Sequence, residues 1–342
     1  MINPLLDPGL HEYFDLRNFQ LTTGYTLSET KLAYKTRGTL NSAKDNAILF
    51  PHQYSGTSAS MEIFIGKHRP LDPAQYFIIL PGQFSNGYST SPSNTPPPFN
   101  QGAFPPVTIA DDVIAQHRLV TERFEISELY AVLGWSMGAQ QTYEWAVRYP
   151  HMVKRAAAFA ATAKTPFHSR IFARVTQEAL KSDPAWNKGF YDNPNAVQFG
   201  LRRHAHAFAF AGVARQFYRD EAWRRIGLAS ADDFIGLFFE QPFLAQDPAN
   251  LLSQTHKWSN ADVSVNTGGN LAAALARITA KMFVVAFKDD LIMPRADCEA
   301  DAALVPNAQL RFIDSVWGHL TMVCQLEEDK KSIDKVLREV LA

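Results

Sequence analysis

Cysteine is scarce in this chain: Cys298 and Cys324 are the two in 342 residues, far apart and without metal-type spacing. That excludes a disulfide scaffold and a thiolate zinc knuckle, and sets the expectation of a reducing, cytoplasmic location. An excess of one charge is missing too. Lys and Arg number 33 against 34 Asp and Glu, a net charge of −1, which gives no footprint for nucleic acid or an anionic membrane. The tightest basic cluster, LRRHAH at 201–206, is too short to be a basic tract. No apolar run nears the ~20 residues that a membrane-spanning helix needs. The opening MINPLLDPGLHEYFDL has no basic stretch leading into an apolar one, so no secretory leader is expected. No internal repeat is visible.

What the chain does have is enough apolar sequence for one large domain, or for a core domain with an insertion. Short alternating segments over 13–37, broken by Gly24, read as an antiparallel hairpin. Continuous apolar runs follow: AILF (47–50), YFIIL (76–80), LYAVLG (129–134), RAAAFAA (155–161), MFVVAF (282–287) and LRFID (310–314). Runs of this kind, spaced by helix-compatible sequence, mark a parallel sheet buried on both faces. The spacing predicts helices over 108–124, with Val113, Leu119 and Val120 on one face, over 138–150 and at the C-terminus. The expected fold class is therefore α/β, with a mostly parallel, doubly wound sheet.

Two stretches interrupt that rhythm. PGQFSNGYSTSPSNTPPPFNQGAFPP (81–106) is too rich in Pro, Gly, Ser and Asn for regular structure, and is either a linker or a functional loop. From about 165 to 272 only aromatic-rich helical sequence occurs. It reads as a helical insertion over the ligand-binding edge of the sheet, against the alternative of an independent helical domain. The expected division is a core of 1–164 and 273–342 with a lid of 165–272. Phe208, Phe210, Phe217, Phe238 and Phe239 are expected to share out among lid core, substrate pocket and a subunit interface.

Gly134-Trp135-Ser136-Met137-Gly138 follows the strand YAVL and opens a helix. This is the setting of a nucleophile elbow, in which a sharp strand-to-helix turn projects a serine hydroxyl while the flanking glycines admit close backbone neighbours. Serine needs a base to take its proton and a carboxylate to orient the base. In chain order Ser, acid, His, the base is expected at His319, just after a late strand and a glycine turn. Asp290, beyond MFVVAF, is the favoured acid, with Asp289 and Asp314 as alternatives. Met137 is expected to supply one oxyanion N–H, and Tyr54 of PHQYSGTS, or a neighbour, the other. His52 of that loop is either a pocket residue or a structural one. Trp135 either touches substrate or packs behind the elbow. His204 and His206 stand two apart on a helix and so point to different sides, which makes them a poor metal pair. No metal or other cofactor is expected.

These motifs bring a family into view. Along about 12–340 the chain resembles the homoserine O-acetyltransferase family of α/β-hydrolase-fold proteins. LAYKTRGTLN (32–41), HQYSGTS, TSPSN (90–94), FPPVTIADDVIAQHRLV, GWSMGAQQTYEWA, DPAWNKGFY (183–191) and DDLIMP (289–294) carry the resemblance. It supports Asp290 and His319 in their roles, and implies a helical lid and a homodimer through lid helices. The family's homoserine enzymes have an aspartate after the histidine, for the substrate ammonium, where this chain has Leu320. They have a lid arginine for the substrate carboxylate where this chain has Ala205, with Arg202 or Arg203 in a position to compensate. An amino acid entering a dry pocket needs both of its charges paired. The sequence therefore looks closer to the carboxylesterases of the family, and a short-chain, uncharged ester is the expected substrate. Acyl transfer from acyl-CoA by the same residues is the alternative, although no basic cluster suited to CoA phosphates is apparent.

Overall fold

An antiparallel ribbon opens the fold where one is expected, with β1 (Glu12–Gln20) paired to β2 (Thr26–Arg37). Gly24 takes φ +94° in the turn between them, a left-handed value that side chains disfavour. This computed structural model describes residues 11–323 and 325–342. The first ten residues, where a leader would begin, and Cys324 lie outside the described residues.

Each apolar run forms a strand: β3 (Ala47–Leu49), β4 (Phe77–Pro81), β5 (Ala131–Trp135), β6 (Arg155–Phe159), β7 (Lys281–Phe287) and β8 (Gln309–Ile313). The sheet order is β1-β2-β4-β3-β5-β6-β7-β8, parallel from β4 through β8. Alternation within the strands supplies two apolar layers: Ala47 and Leu49 join one, Ile48 and Phe50 the other. That is why these strands read as unbroken apolar runs.

Helices α1 (Ile109–Arg118) and α2 (Met137–Arg148) pack on the first layer, burying Val113, Tyr143 and Trp145. Thr108 and Asp111 start α1 by capping each other's backbone N–H, at 3.2 and 2.8 Å. The single helix expected over 108–124 is in fact α1 plus a wider π-type turn, Leu119–Arg123. The turn changes the helical phase and keeps both Leu119 and Val120 at 0% exposure.

Between β6 and β7 the chain runs through α3 (Phe167–Lys181), α4 (Gln198–Gly212), α5 (Arg215–Arg219), α6 (Ala231–Ile235), α7 (Gln241–Leu244), α8 (Pro248–Ser259) and α9 (Leu271–Leu275). The apolar cluster of this region takes in Tyr54, Met137, Ile292 and Trp317 from loops at the strand ends, so it is continuous with the sheet. Then α10 (Arg295–Leu304) joins the first layer, and α11 (Glu327–Leu341) covers the second with Ile333, Leu337 and Val340.

A buried ion pair joins the helical region to the core. Lys257 of α8 and Asp112 of α1, both fully buried, pair at 2.6 Å. The backbone of Phe84, in the long loop after β4, donates to Asp112 and accepts from Lys257, each at 2.8 Å. Burial raises the Asp112 carboxyl to about 6 against the pull of Lys257, and lowers the Lys257 ammonium. The same loop bonds α8 again through Ser85, which meets Ser253 at 2.7 Å and accepts from Gln254 at 2.9 Å. No helix among the described residues is long and apolar enough to cross a membrane.

Candidate active site

Ser136 sits between the end of β5 and the start of α2 with φ +54° and ψ −124°, a strained conformation for a residue with a side chain. Its neighbours explain the glycines. A Cβ on Gly134 would lie 2.2 Å from the carbonyl oxygen of Gly138, and one on Gly138 would lie 2.4 Å from that of Pro51. The turn is pinned by the Ser136 N–H, which donates to Phe159 O at 2.9 Å.

Three side chains distant in sequence meet here. His319 Nε2 lies 2.8 Å from Ser136 Oγ, and His319 Nδ1 lies 2.8 Å from Asp290 Oδ2. A carboxylate only accepts, so Nδ1 carries the proton and Nε2 is left to accept from the serine hydroxyl. The other oxygen, Oδ1, accepts from the N–H of Ile292 at 2.8 Å and of Met293 at 2.9 Å, which fixes the carboxylate plane. All three are buried: Ser136 is 8% exposed, His319 5% and Asp290 3%. The alternative acids lie elsewhere. Asp289 is an exposed turn residue at φ +56°, and Asp314 is exposed and paired with Lys288 at 3.0 Å.

His319 lies in the turn Gly318–Val323 after β8, held to the helical region where Ala214 N–H donates to Val316 O at 3.1 Å. Trp135 Nε1 donates to His319 O at 3.2 Å, so the indole packs behind the histidine while also lining the cavity.

The loop after β3 lies against the elbow, as the close approach of Pro51 O to Gly138 requires. Among the described residues, no acceptor meets the N–H of Tyr54 or that of Met137. The Met137 side chain is buried in the helical cluster and does not line the cavity. The phenol of Tyr54 reaches into the helical region, 2.9 Å from His204 Nε2 and 3.1 Å from Thr255 Oγ1. His204 Nδ1 faces Thr176 O at 2.9 Å, which can only accept, so Nδ1 donates there and Nε2 accepts a hydrogen bond from the Tyr54 hydroxyl. Burial lowers the His204 pKa to about 4. His206 instead bonds Glu240 at 2.7 Å on the exposed side, so the two histidines do diverge. His52 is structural: it is fully buried, its Nδ1 donates to Gln53 O at 2.8 Å, its Nε2 accepts from Asn86 at 3.2 Å, and burial holds it neutral with its pKa near 3. Among the described residues no cluster of three or more His, Cys, Asp or Glu could hold a metal.

Above Ser136 lies a small cavity of about 60 Å³. Phe208, Phe238, Phe239, Phe243 and Trp258 form its aromatic wall, and Ile292, Met293 and Leu320 its aliphatic one. Phe243 and Trp258 carry no signal in the sequence that separates them from other aromatics of the helical region. Phe217 is core at 0% exposure, and Phe210 is 78% exposed. Neither arginine compensates for Ala205 at the cavity: Arg202 pairs with Glu240, and Arg203 donates to Ser182 at 2.9 Å.

A serine elbow at the end of a central parallel strand, on an eight-stranded sheet of this order, defines a hydrolase-type scaffold. The chain belongs to the alpha/beta hydrolase fold family, whose profile matches residues 46–323. It is similar to an ethyl acetate hydrolase of Pseudomonas veronii, 42% identical over 98% of this chain and 96% of that one. A solved acetylester hydrolase from Corynebacterium glutamicum superposes with a TM-score of 0.96 at 44% identity, covering 98% of this chain and 96% of that chain. A homoserine O-acetyltransferase of Thermobifida fusca is 30% identical over 98% of this chain and 94% of its own length. The resemblance drawn from the motifs therefore holds, and it is stronger on the esterase side.

Proposed function

We propose that this protein is a serine carboxylesterase that hydrolyses small, uncharged acetate esters. One observation carries the reading: the Asp290–His319–Ser136 relay opens on a small cavity in which, His319 aside, no lining residue among those described is of a charged type. The ester and acetylester hydrolases among its relatives support the same substrate class. Ser136 Oγ attacks the ester carbonyl carbon while His319 Nε2 takes its proton, and Asp290 stabilises the imidazolium. The N–H groups of Tyr54 and Met137 hold the oxyanion. His319 then protonates the departing alkoxide, leaving an acetyl group on Ser136, and water releases it as acetate.

Helices of 165–272 act as the lid, with Phe208 and Phe243 closing the cavity from above. Two such chains pair through the lid. Phe167, Ile171 and Val175, four apart on α3, form an apolar stripe at 76%, 44% and 53% exposure, and Phe210 of α4 is exposed beside this region of the chain. Sedimentation should show a dimer, and Ile171→Glu with Val175→Glu a monomer. A cytoplasmic location is part of this reading, supported by the scarcity of cysteine.

The test of function is the fate of the acetyl group. Purified protein given ethyl acetate and excess homoserine should yield free acetate, and Ser136→Ala should yield none. Substantial O-acetylhomoserine would instead identify an acetyltransferase and remove the meaning assigned to Leu320.

A further inference from the structure

One residue of the cavity wall carries a buried carboxamide with nothing to bond. Gln53 is 4% exposed, lines the cavity beside Ser136 and His319, and has no partner for Nε2 or Oε1 among the described residues. Its position is built. The amide rests on Gly56, where a Cβ would lie 2.6 Å from Nε2 and 2.9 Å from Oε1. The loop therefore forgoes a side chain at residue 56 to seat an amide whose burial is unfavourable until it finds a partner.

We propose that Gln53 positions the water that releases the acyl group from Ser136. The proposal rests on the reading of Ser136 as the acyl carrier. Every turnover of an ester hydrolase must admit one water, and a water held in a cavity needs about two to four polar partners. Most of this cavity's wall is aromatic or aliphatic. His319 Nε2 offers one acceptor, and Gln53 adds a second acceptor through Oε1 and a donor through Nε2. Trp258 also belongs to the cavity wall and its indole N–H has no partner among the described residues, but a lone donor cannot direct a water's hydrogens.

In the step itself the water oxygen bonds to the acetyl carbon as one of its protons passes to His319 Nε2. The tetrahedral intermediate collapses, the carbon–Oγ bond breaks, and His319 returns that proton to Ser136 Oγ. Acetic acid leaves. Gln53 forms and breaks no covalent bond; it sets where the water stands. A cavity that holds water in place favours hydrolysis over transfer to a competing alcohol.

The experiment uses p-nitrophenyl acetate, an activated ester that makes release of the acyl group the slow half. Gln53→Met removes both amide atoms at nearly constant shape. Gln53→Asn draws them back by one methylene and adds no bulk, so it carries the test if Gln53→Met does not fold. For either variant kcat should fall about ten- to a hundredfold, and KM should fall by the same factor, leaving kcat/KM unchanged. A burst of p-nitrophenol approaching one per chain should appear, and intact mass should show one acetyl group on Ser136. Unchanged kcat would overturn the proposal. So would a fall in kcat/KM without a burst, which would assign Gln53 to acylation or to loop support. Steady turnover with no acetyl-enzyme in any variant, together with an active Ser136→Ala protein, would instead sink the reading of Ser136 itself.

Discussion

The floor and the roof of the cavity are built on different principles. On the floor, Ser136, Asp290 and His319 stand on turns at the ends of β5, β7 and β8, and backbone hydrogen bonds and close backbone contacts set their positions. Gly134 and Gly138 have no room for a methyl group. The roof is held by side-chain packing, with Phe208 stacked on Tyr54 at 5.3 Å and tilted against Phe243 at 5.2 Å. Backbone-set geometry suits bond making, which fails with small displacements. Packed aromatics suit shape selection, which tolerates repacking. The floor should therefore govern rate and the roof preference.

Four substitutions probe that division. Asp290→Asn leaves the floor's backbone in place but presents an amide to His319 Nδ1, favouring the wrong tautomer; kcat for ethyl acetate should fall about 10⁴-fold. A loss below tenfold would mean that the carboxylate is dispensable. His204→Gln tests the seam between floor and roof. His204 is held near pKa 4 in the fold against an ordinary 6.5, so its contribution is complete above pH 6.5 and is lost as the pH falls towards 4. Between those limits the parent chain should lose about 3 kcal/mol more stability than the variant in urea melts. Parallel pH profiles would show that His204 already titrates normally. Gly138→Ala forces the elbow and the Pro51 carbonyl apart, and should cost about 1–3 kcal/mol along with most activity. Phe208→Ala opens the roof. It should move the ratio of kcat/KM for butyrate over acetate esters upward by about tenfold, with acetate turnover little changed. If acetate turnover collapses instead, the roof shares in the chemistry and the division fails.

The same division governs what could be read from the sequence. The elbow is legible because its steric demands fall on adjacent residues: the glycines, the serine and the strand before them are contiguous. His319 is legible from its place after a late strand. Asp290 is less so, because Asp289 beside it has the same chemistry, and only the backbone turn decides which carboxylate faces inward. The roof is hardly legible. Phe208 lines the cavity while Phe210, two residues along the same helix, is exposed, and the short helices after Gly212 and the π-type turn Gly236–Glu240 reset the phase repeatedly. Periodicity cannot be carried across such breaks. Gln53 and Lys257 escape notice for a related reason: each belongs to a residue type that is usually exposed, and only its tertiary surroundings make it internal.

The buried pair of Lys257 and Asp112 also bears on how ester and acid travel. Swinging α8 outward would separate opposite charges in an apolar setting, at a cost of about 3–5 kcal/mol, and would strip the Phe84 carbonyl of its bond from Lys257. That makes α8 a fixed ceiling beam in the traffic of a small molecule, and the door must be cut elsewhere. Among the described residues no buried ion pair joins α4, α7 or the turn between α6 and α7 to the core, although His204 of α4 bonds Tyr54, and Gly236 in that turn has open space where a Cβ would stand. An ester that enters on that side passes Phe238 and Phe243, and α8 need not move.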